Sequence, residues 1–248
     1  MEGKARMTEK LTTTGAALTV CFTALYVVFG LISISPIIGL SGRAMTAAAI
    51  IAPIIGILLG PYVGVLSTAL GGLIGFSIGV FSPPSIVSGA TAAAFAGMLY
   101  TGKRSLSIFA YFSLLFLFGF YPFVGPVWLF PLSLWFQIIG FLILLSPLQS
   151  NFIKVINSNS SSKLFPALFT IALTSTLAGQ IAGSLALELI SWPIFLADLN
   201  AWTGIWQATA LLYPLERTII ALVATLIGAP LIKILKTTNM IPSSRAKN

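Results

Sequence analysis

Apolar segments long enough to cross a lipid bilayer follow one another along nearly the whole chain of 248 residues. Hydrophobic residues make up 57% of the chain and charged residues 7%, whereas soluble domains carry about a quarter charged residues. A helix needs about 20 apolar residues to span the hydrocarbon core. The pattern therefore predicts an all-α, polytopic integral membrane bundle and excludes a soluble core.

Eight segments have this character, and Pro or Gly residues separate them because both residue types end or kink helices. The segments are 13–35, 43–60, 62–80, 85–102, 105–121, 126–147, 164–190 and 206–235. The count falls to six if 105–147 packs irregularly, since 105–121 is of marginal length. Residues 1–248 are thus predicted to form a single transmembrane domain. Its tails and its linker are 1–12, 148–163 and 237–248.

The Lys and Arg residues cluster in alternate gaps between these segments. With the N-terminus inside, eleven of the thirteen fall on the cytoplasmic side, and only Arg43 and Arg217 fall toward the outer side. Because Lys and Arg favour cytoplasmic loops, we expect a multi-pass protein of the cell membrane with both termini and the linker in the cytoplasm. The same dispersal of basic residues over loop ends argues against nucleic acid as a partner.

The five tryptophans all fall on or near the predicted outer half of the bundle. An aromatic belt should mark both membrane interfaces, so the one-sided grouping indicates either an outward-facing aromatic pocket or part of a belt. The residues are Trp128, Trp135, Trp192, Trp202 and Trp206.

A few polar residues lie within or beside the apolar segments. A charge at the bilayer centre costs about 2.5–3.5 kcal/mol or more, so each such residue is a functional candidate. A mostly apolar pocket with a few polar groups is typical of a small-molecule site. The loops 36–42 and 191–206 would then act as lids. The alternative is a set of structural pairs between helices, such as Glu216 with Arg43. The predicted substrate-binding residues are Arg43, Trp128, Gln180, Glu188, Trp192, Trp202, Trp206, Glu216 and Arg217.

Small residues recur every four positions on several predicted helices, so each row lies along one helical face. Close packing of small residues drives helix association in membranes. Each row therefore indicates packing inside this chain or docking of a partner protein. The rows include Ala48, Ala52 and Gly56 on the second segment, Gly71, Gly75 and Gly79 on the third, Gly89, Ala93 and Gly97 on the fourth, and Thr174, Ala178, Ala182 and Ala186 on the seventh.

Several kinds of chemistry lack the residues they need. The chain has no His, one Cys and five acidic residues, which argues against a metal site, a cofactor and acid–base catalysis by imidazole. The run 97–104 matches G-x-x-x-x-G-K but has Arg104 where Ser or Thr should bind magnesium. We therefore expect neither an enzyme nor ATP hydrolysis by this chain itself.

Three stretches of the chain resemble the substrate-binding S-components of energy-coupling-factor transporters. Residues 47–80 have their helix, Gly-Pro turn and Gly-rich helix, 85–103 are similar to the following helix, and 213–236 to the last helix with its late Pro and Lys. The resemblance implies a pocket at the outer face that binds a vitamin or other small nutrient. It also implies docking on a membrane coupling subunit that two cytoplasmic ATPases drive.

The resemblance also implies a docking face on the first helix, where the family carries an Ala-x-x-x-Ala patch. The nearest equivalent here is Thr13, Ala17 and Cys21, and the row Ala48, Ala52 and Gly56 is a second candidate face. The family has six spans, so 105–147 would hold an extra hairpin in a chain with eight.

These observations predict a membrane-embedded binding subunit for uptake of a small nutrient. The first alternative is a stand-alone secondary transporter or channel that uses Glu216 and Arg217 as an ion or proton relay. A membrane enzyme acting on lipids and an accessory subunit of a membrane complex are further alternatives. The lack of His and the shortage of acidic residues argue against the enzyme.

Overall fold

The computed structural model describes residues 13–40, 42–147 and 161–237, and nearly all the regular structure there is helical. The prediction of a helical fold is confirmed, with the addition of two short strands. The predicted tail 1–12 and most of the linker and C-terminal tail lie outside the described residues. The elements are α1 (Thr13–Gly30), β1 (Ser33–Pro36), β2 (Ala44–Thr46), α2 (Ala48–Ser77), α3 (Pro83–Tyr100), α4 (Arg104–Gly119), α5 (Pro126–Leu129), a 3-10 helix (Pro131–Leu134), α6 (Trp135–Leu145), α7 (Ser161–Ser191) and α8 (Leu199–Thr237).

Within the described part of the chain, three helices are long and apolar enough to cross a membrane. They are α2, the stretch Leu164–Ser191 of α7 and the stretch Leu199–Ile234 of α8. Three further apolar helical stretches, Gly15–Gly30, Arg104–Gly119 and Pro131–Leu145, are shorter than this. The structure therefore has helices of the membrane-spanning type, whereas the number of spans stays a prediction.

Helix α2 reverses direction at Gly60. The backbone there has φ 79° and ψ 175°, a region open essentially to glycine alone. In a straight helix, residues eight positions apart are separated by about 12 Å, but a Cβ built on Gly64 would lie 3.0 Å from the Cα of Gly56. The break between the second and third predicted segments is thus a turn without a loop, one residue before Pro61.

The strands β1 and β2 occupy positions that the sequence predicts as helix ends, in 13–35 and 43–60. They pair antiparallel, with Ser33 opposite Thr46 and Pro36 opposite Ala44. Proline cannot continue a helix from its interior, and Ser33 and Ser35 alternate with Ile34 as in a strand. The chain between the strands turns through Gly39 and Gly42, which both have positive φ.

Residues 126–147 do not form one span but three short helical pieces. Pro126 and Pro131 each stand at the start of a new piece, because proline fits the first turn of a helix and disrupts its interior. The guanidinium of Arg104 donates to the carbonyls of Leu144 and Ser146 at 3.0 and 2.9 Å. This contact connects the start of α4 to the end of α6. Of the two predictions for 105–147, the irregular arrangement fits residues 126–147 better than one continuous spanning helix does.

Most of the small residues in these rows pack inside the chain, although Gly79 is exposed. A Cβ on Gly97 would lie 2.5 Å from Pro61 N, and one on Gly179 would lie 2.6 Å from the carbonyl oxygen of Ser88. Such distances leave no room for a side chain, so α3 approaches α2 and α7 backbone to backbone. Small residues allow this approach. The close backbone contacts in turn determine the arrangement of the helices around the cavity described below.

Helix α8 begins at Leu199 rather than at residue 206, where the sequence places it. The Asp198 side chain accepts a hydrogen bond from the backbone N–H of Asn200 at 2.9 Å, as Asp does at helix N-termini. The predicted lid 191–206 is therefore mostly helix, and 192–198 alone connects α7 to α8.

Candidate ligand-binding cavity

A cavity lies among α1, α2, α3, α7 and α8, beneath the β1–β2 hairpin. Its volume is about 90 Å³. This is several times the space that one water molecule needs. The lining residues are Tyr26, Pro36, Ile37, Leu40, Met45, Thr46, Ala48, Ala49, Ala52, Phe81, Pro84, Ser85, Ser88, Gly89, Ala92, Thr176, Gln180, Gly183, Ser184, Leu187, Tyr213 and Arg217.

Small residues on two helices create the space. Ala48 and Ala52 lie one turn apart on α2, and Ser85, Gly89 and Ala92 lie along α3. Side chains at these spacings share one helical face, so both helices present short side chains to the same volume. At Gly89 the Tyr26 ring occupies the place of a side chain, and the other short side chains leave the space open.

The polar part of the lining comes from α7 and α8. Thr176, Gln180 and Ser184 are spaced four residues apart on α7, and Tyr213 and Arg217 are spaced four apart on α8. Both sets point along one face of their helix. The cavity thus combines an apolar side with a side that offers hydroxyl, amide and guanidinium groups, which is the chemistry of a small-molecule site.

Arg217 is the charged residue of this lining. Its side chain is 7% exposed, and its Nε has no hydrogen-bond partner. Its guanidinium carbon lies 5.6 Å from the ring centroid of Tyr213, within cation–π range. Glu216 interacts with it electrostatically, but among the described residues no carboxylate forms an ion pair with it, so a ligand could still pair with its guanidinium.

Gln180 lines the cavity and carries an unpaired acceptor. Its Nε2 donates to the side-chain oxygen of Gln137 at 3.0 Å in the amide orientation that also lets Gln137 donate to Ser133 O. Its own Oε1 is buried without a partner. Because buried polar atoms are nearly always hydrogen-bonded, this oxygen is a second group that a ligand could satisfy.

The β1–β2 hairpin covers the cavity. Pro36, Ile37 and Leu40 line the cavity and also line a shallow groove on their other side. A Cβ on Gly39 would lie 3.1 Å from Ile205 and 3.2 Å from Leu187, so the turn packs closely on α7 and α8. Residues 36–40 of the predicted lid thus lie over this cavity.

The structure places the four predicted tryptophans outside this cavity. Trp202 and Trp206 are buried, and their indole N–H groups donate to Leu196 O at 2.9 Å and Val124 O at 2.7 Å. Trp192 packs beside Phe123, and Trp128 is 59% exposed. The geometry favours a structural role for these side chains over an aromatic pocket.

The other charged candidates are not part of the cavity lining. Arg43 donates through Nη1 to the carbonyl of Gly79 and lines the shallow groove. The carboxylates of Glu188 and Glu216 are buried and have no hydrogen-bond partner. The structural pair of Glu216 with Arg43, which the sequence left open, is not formed.

The predicted docking residues divide into two groups. Ala48 and Ala52 are buried and line the cavity, and Gly56 packs on the backbone of Ala93, which assigns that row to packing within the chain. Ala17 and Cys21 are exposed on α1, and the side chain of Thr13 lies outside the described residues. The exposed face of α1 remains available to lipid or to a partner.

Several cavity residues were not predicted from the sequence. Ser85, Ser88, Thr176 and Ser184 are single hydroxyl residues in apolar helices, and such residues commonly bond to their own helix backbone. The signal that distinguishes them is the polar stripe Thr176, Gln180 and Ser184 along one face of α7. Tyr26, opposite this stripe, carried no signal of its own.

Among the described residues, no group of three or more His, Cys, Asp or Glu side chains is placed to hold a metal ion. No protein-family model, curated protein or solved structure matches the chain. The geometry of the cavity is therefore the basis on which a function can be argued.

Proposed function

We propose that this chain is the membrane-embedded substrate-binding subunit of an uptake system for a vitamin or similar small nutrient. The observation that carries the proposal is the cavity under the β1–β2 hairpin, whose lining includes Gln180 and Arg217, each with a buried polar atom that has no hydrogen-bond partner. These groups stand on long packed helices, which hold a binding site more rigidly than loops do. In the proposed arrangement an even number of spans, eight or six, leaves both termini in the cytoplasm and the cavity near the outer face.

The charged ends of the helices support that orientation. Lys103 and Arg104 lie where α3 ends and α4 begins, whereas Arg43 contacts Gly79 just before α3 starts. The 18 residues of α3 correspond to about 27 Å at 1.5 Å per residue. The cavity lies at the Arg43 end, so cytoplasmic placement of Lys103 and Arg104 would turn the cavity outward.

Uptake would depend on a separate coupling subunit and ATPases, because the run 97–104 lacks the Ser or Thr of a nucleotide-binding loop. The proposed docking face is the exposed side of α1 that carries Ala17 and Cys21. Its small side chains would allow a partner helix to approach closely. The opposite side of α1 packs within the chain, where Thr23 donates to Ser67 O at 3.2 Å.

A cavity-filling substitution tests the proposed site. Purified protein is incubated with a metabolite mixture from yeast extract, and retained compounds are identified by mass spectrometry. Ser184→Phe should abolish retention, because the ring would occupy the cavity. Ser77→Phe, the same change at an exposed position, should leave retention unchanged. Equal retention by both variants would exclude this cavity as the site.

A stand-alone secondary transporter is the second candidate. The observation that favours it is the Glu216 carboxylate, which is buried without a hydrogen-bond partner, since buried carboxylates in membranes often belong to proton or ion relays. Proteoliposomes that contain this chain alone distinguish the two. Uptake driven by an ion gradient and lost in Glu216→Gln would favour the transporter, whereas binding without accumulation would favour the binding subunit.

A further inference from the structure

Arg217 lacks the partner that a buried guanidinium requires. It is 7% exposed and lines the cavity, and its Nε has no hydrogen-bond partner. Its interactions among the described residues are with the ring of Tyr213 and, electrostatically, with the neighbouring Glu216, and neither is an ion pair or a hydrogen bond. Removing such a charge from water is costly unless an opposite charge or several acceptors replace the water. Its neighbour Glu216 does not line the cavity, and adjacent residues on a helix point about 100° apart.

On the basis of the proposed function, we infer that the ligand is a small, singly charged carboxylate that also carries an N–H or O–H donor. Arg217 would hold the carboxylate, and the Oε1 atom of Gln180 would accept from the donor. The guanidinium is planar, and its fork of N–H groups matches the two oxygens of a carboxylate. A ligand of this class satisfies both unpartnered groups of the lining at once.

The charge of the lining favours a carboxylate over a phosphate. Among the lining residues, which are all described, Arg217 is the single cation. A phosphate monoester carries about −1.5 to −2 charges at neutral pH, so one guanidinium would leave part of that charge uncompensated. A single negative charge is the one that this site can balance.

The remaining lining restricts the rest of the ligand. Ile37, Leu40 and Phe81 offer apolar contact, whereas Ser88 and Ser184 offer hydroxyl groups that can donate or accept. The expected molecule therefore has a charged end, an apolar or weakly polar body and a donor group. A cavity of about 90 Å³ restricts it to a small metabolite.

The first experiment identifies what the wild-type chain retains from the yeast-extract metabolite mixture. Retention of a carboxylic acid with an N–H or O–H donor supports the inference. Retention of a neutral, cationic or phosphorylated compound overturns the inference and leaves the proposed function intact. If no small molecule is retained, the proposed function fails together with the inference.

The second experiment measures affinity by calorimetry with the retained acid and with its primary amide. On the wild-type protein the acid should bind about 10- to 100-fold more tightly, the range expected for hydrogen bonds to a charged group. Equal affinity of acid and amide would overturn the inference. This comparison uses the wild-type protein alone, so its outcome does not depend on the folding of a variant. Inorganic phosphate at millimolar concentration should not compete, and competition would point to a phosphate site instead.

Variants then assign the charge to its residue. Arg217→Gln should weaken the acid about 10- to 100-fold and leave the amide unaffected, whereas Arg217→Lys should retain part of the affinity because it keeps the charge and loses the planar fork. Lys103→Gln removes a positive charge at the opposite end of α3 and should change neither affinity. Unchanged acid binding in folded Arg217→Gln would overturn the assignment.

Discussion

The indole N–H of Trp206 donates to the carbonyl of Val124, 82 positions earlier in the chain. The indole of Trp135 donates to Ala210 O at 2.8 Å, so the two contacts run in opposite senses between the same two regions. Phe118 packs edge-on against Trp206. Together these side chains fasten the irregular segment between α4 and α6 to the first half of α8.

We therefore expect Trp206→Phe to change stability rather than binding. The Val124 carbonyl would be left buried without a donor, which lowers the free energy of unfolding by about 1–3 kcal/mol. Thermal unfolding in detergent measures this change, and calorimetry with the retained compound should give an unchanged affinity. The control Trp128→Phe alters an exposed indole and should change stability by less than about 0.5 kcal/mol.

A large loss of affinity in folded Trp206→Phe would restore the hypothesis of an aromatic pocket that the sequence suggested.

Sequence reasoning could not choose between a structural and a ligand-binding role for Trp206, because the indole's partner is a backbone carbonyl far away in the chain. Arg217 and Gln180 were predictable, since a polar side chain in an apolar helix is costly and needs a reason. Their position in one cavity, opposite Tyr26, depends on tertiary packing.

The turn within α2 depends on one glycine. We expect Gly60→Ala to lower the free energy of unfolding by about 1–3 kcal/mol, because alanine would have to adopt φ 79°. Gly204→Ala is the matched control. A Cβ at either position meets no atom within 4 Å, but Gly204 has no positive φ, and alanine there should stabilise α8 by up to about 1 kcal/mol.

Thermal unfolding of both variants checks this difference, and equal effects would mean that the backbone at Gly60 is not constrained.

The sequence placed the break at Pro61 because Gly and Pro stand together there. It did not predict the absence of a loop, which requires Gly56 and Gly64 to meet. The strands β1 and β2 were not predicted either, since each depends on pairing with the other.

The helical pieces at 126–145 show why the length of an apolar segment is an incomplete guide. The apolar run is continuous, so composition predicts a span, but Pro126 and Pro131 divide it into short helices. The start of α8 shows the reverse error, because a helix begins there that the apolar pattern does not include. Asp198 caps a helix whose first turns contain Asn200, Thr203 and Gly204, and these polar and small residues lower the apparent hydropathy of a helical stretch.

The two ends of the whole molecule differ in charge, and this difference leads to a test of the predicted orientation. In a background with Cys21→Ser, Asp198→Cys should react with a membrane-impermeant maleimide in intact cells. Lys103→Cys should react only after the cells are opened, because the basic residues near α4 are expected to face the cytoplasm. The labelled fraction on a gel measures both reactions.

Reaction of Lys103→Cys in intact cells would reverse the orientation and place the cavity toward the cytoplasm. For the molecule as a whole, the sequence predicted the helical class and most of the helix positions, and it left the small-residue rows open between internal packing and docking of a partner. It could not predict the cavity, because a space between helices depends on how each helix is rotated about its axis. The contact of Gly179 with Ser88 fixes one such rotation.

The close packing of Gly39 against Ile205 and Leu187 has a consequence for kinetics. The β1–β2 hairpin narrows the route between the cavity and its surroundings, so release of a bound molecule would require this segment to shift. Motions of such segments, rather than the strength of individual contacts, often limit exchange. Residence time would then depend on the hairpin, and a bulkier residue at position 39 would shorten it by loosening the cover.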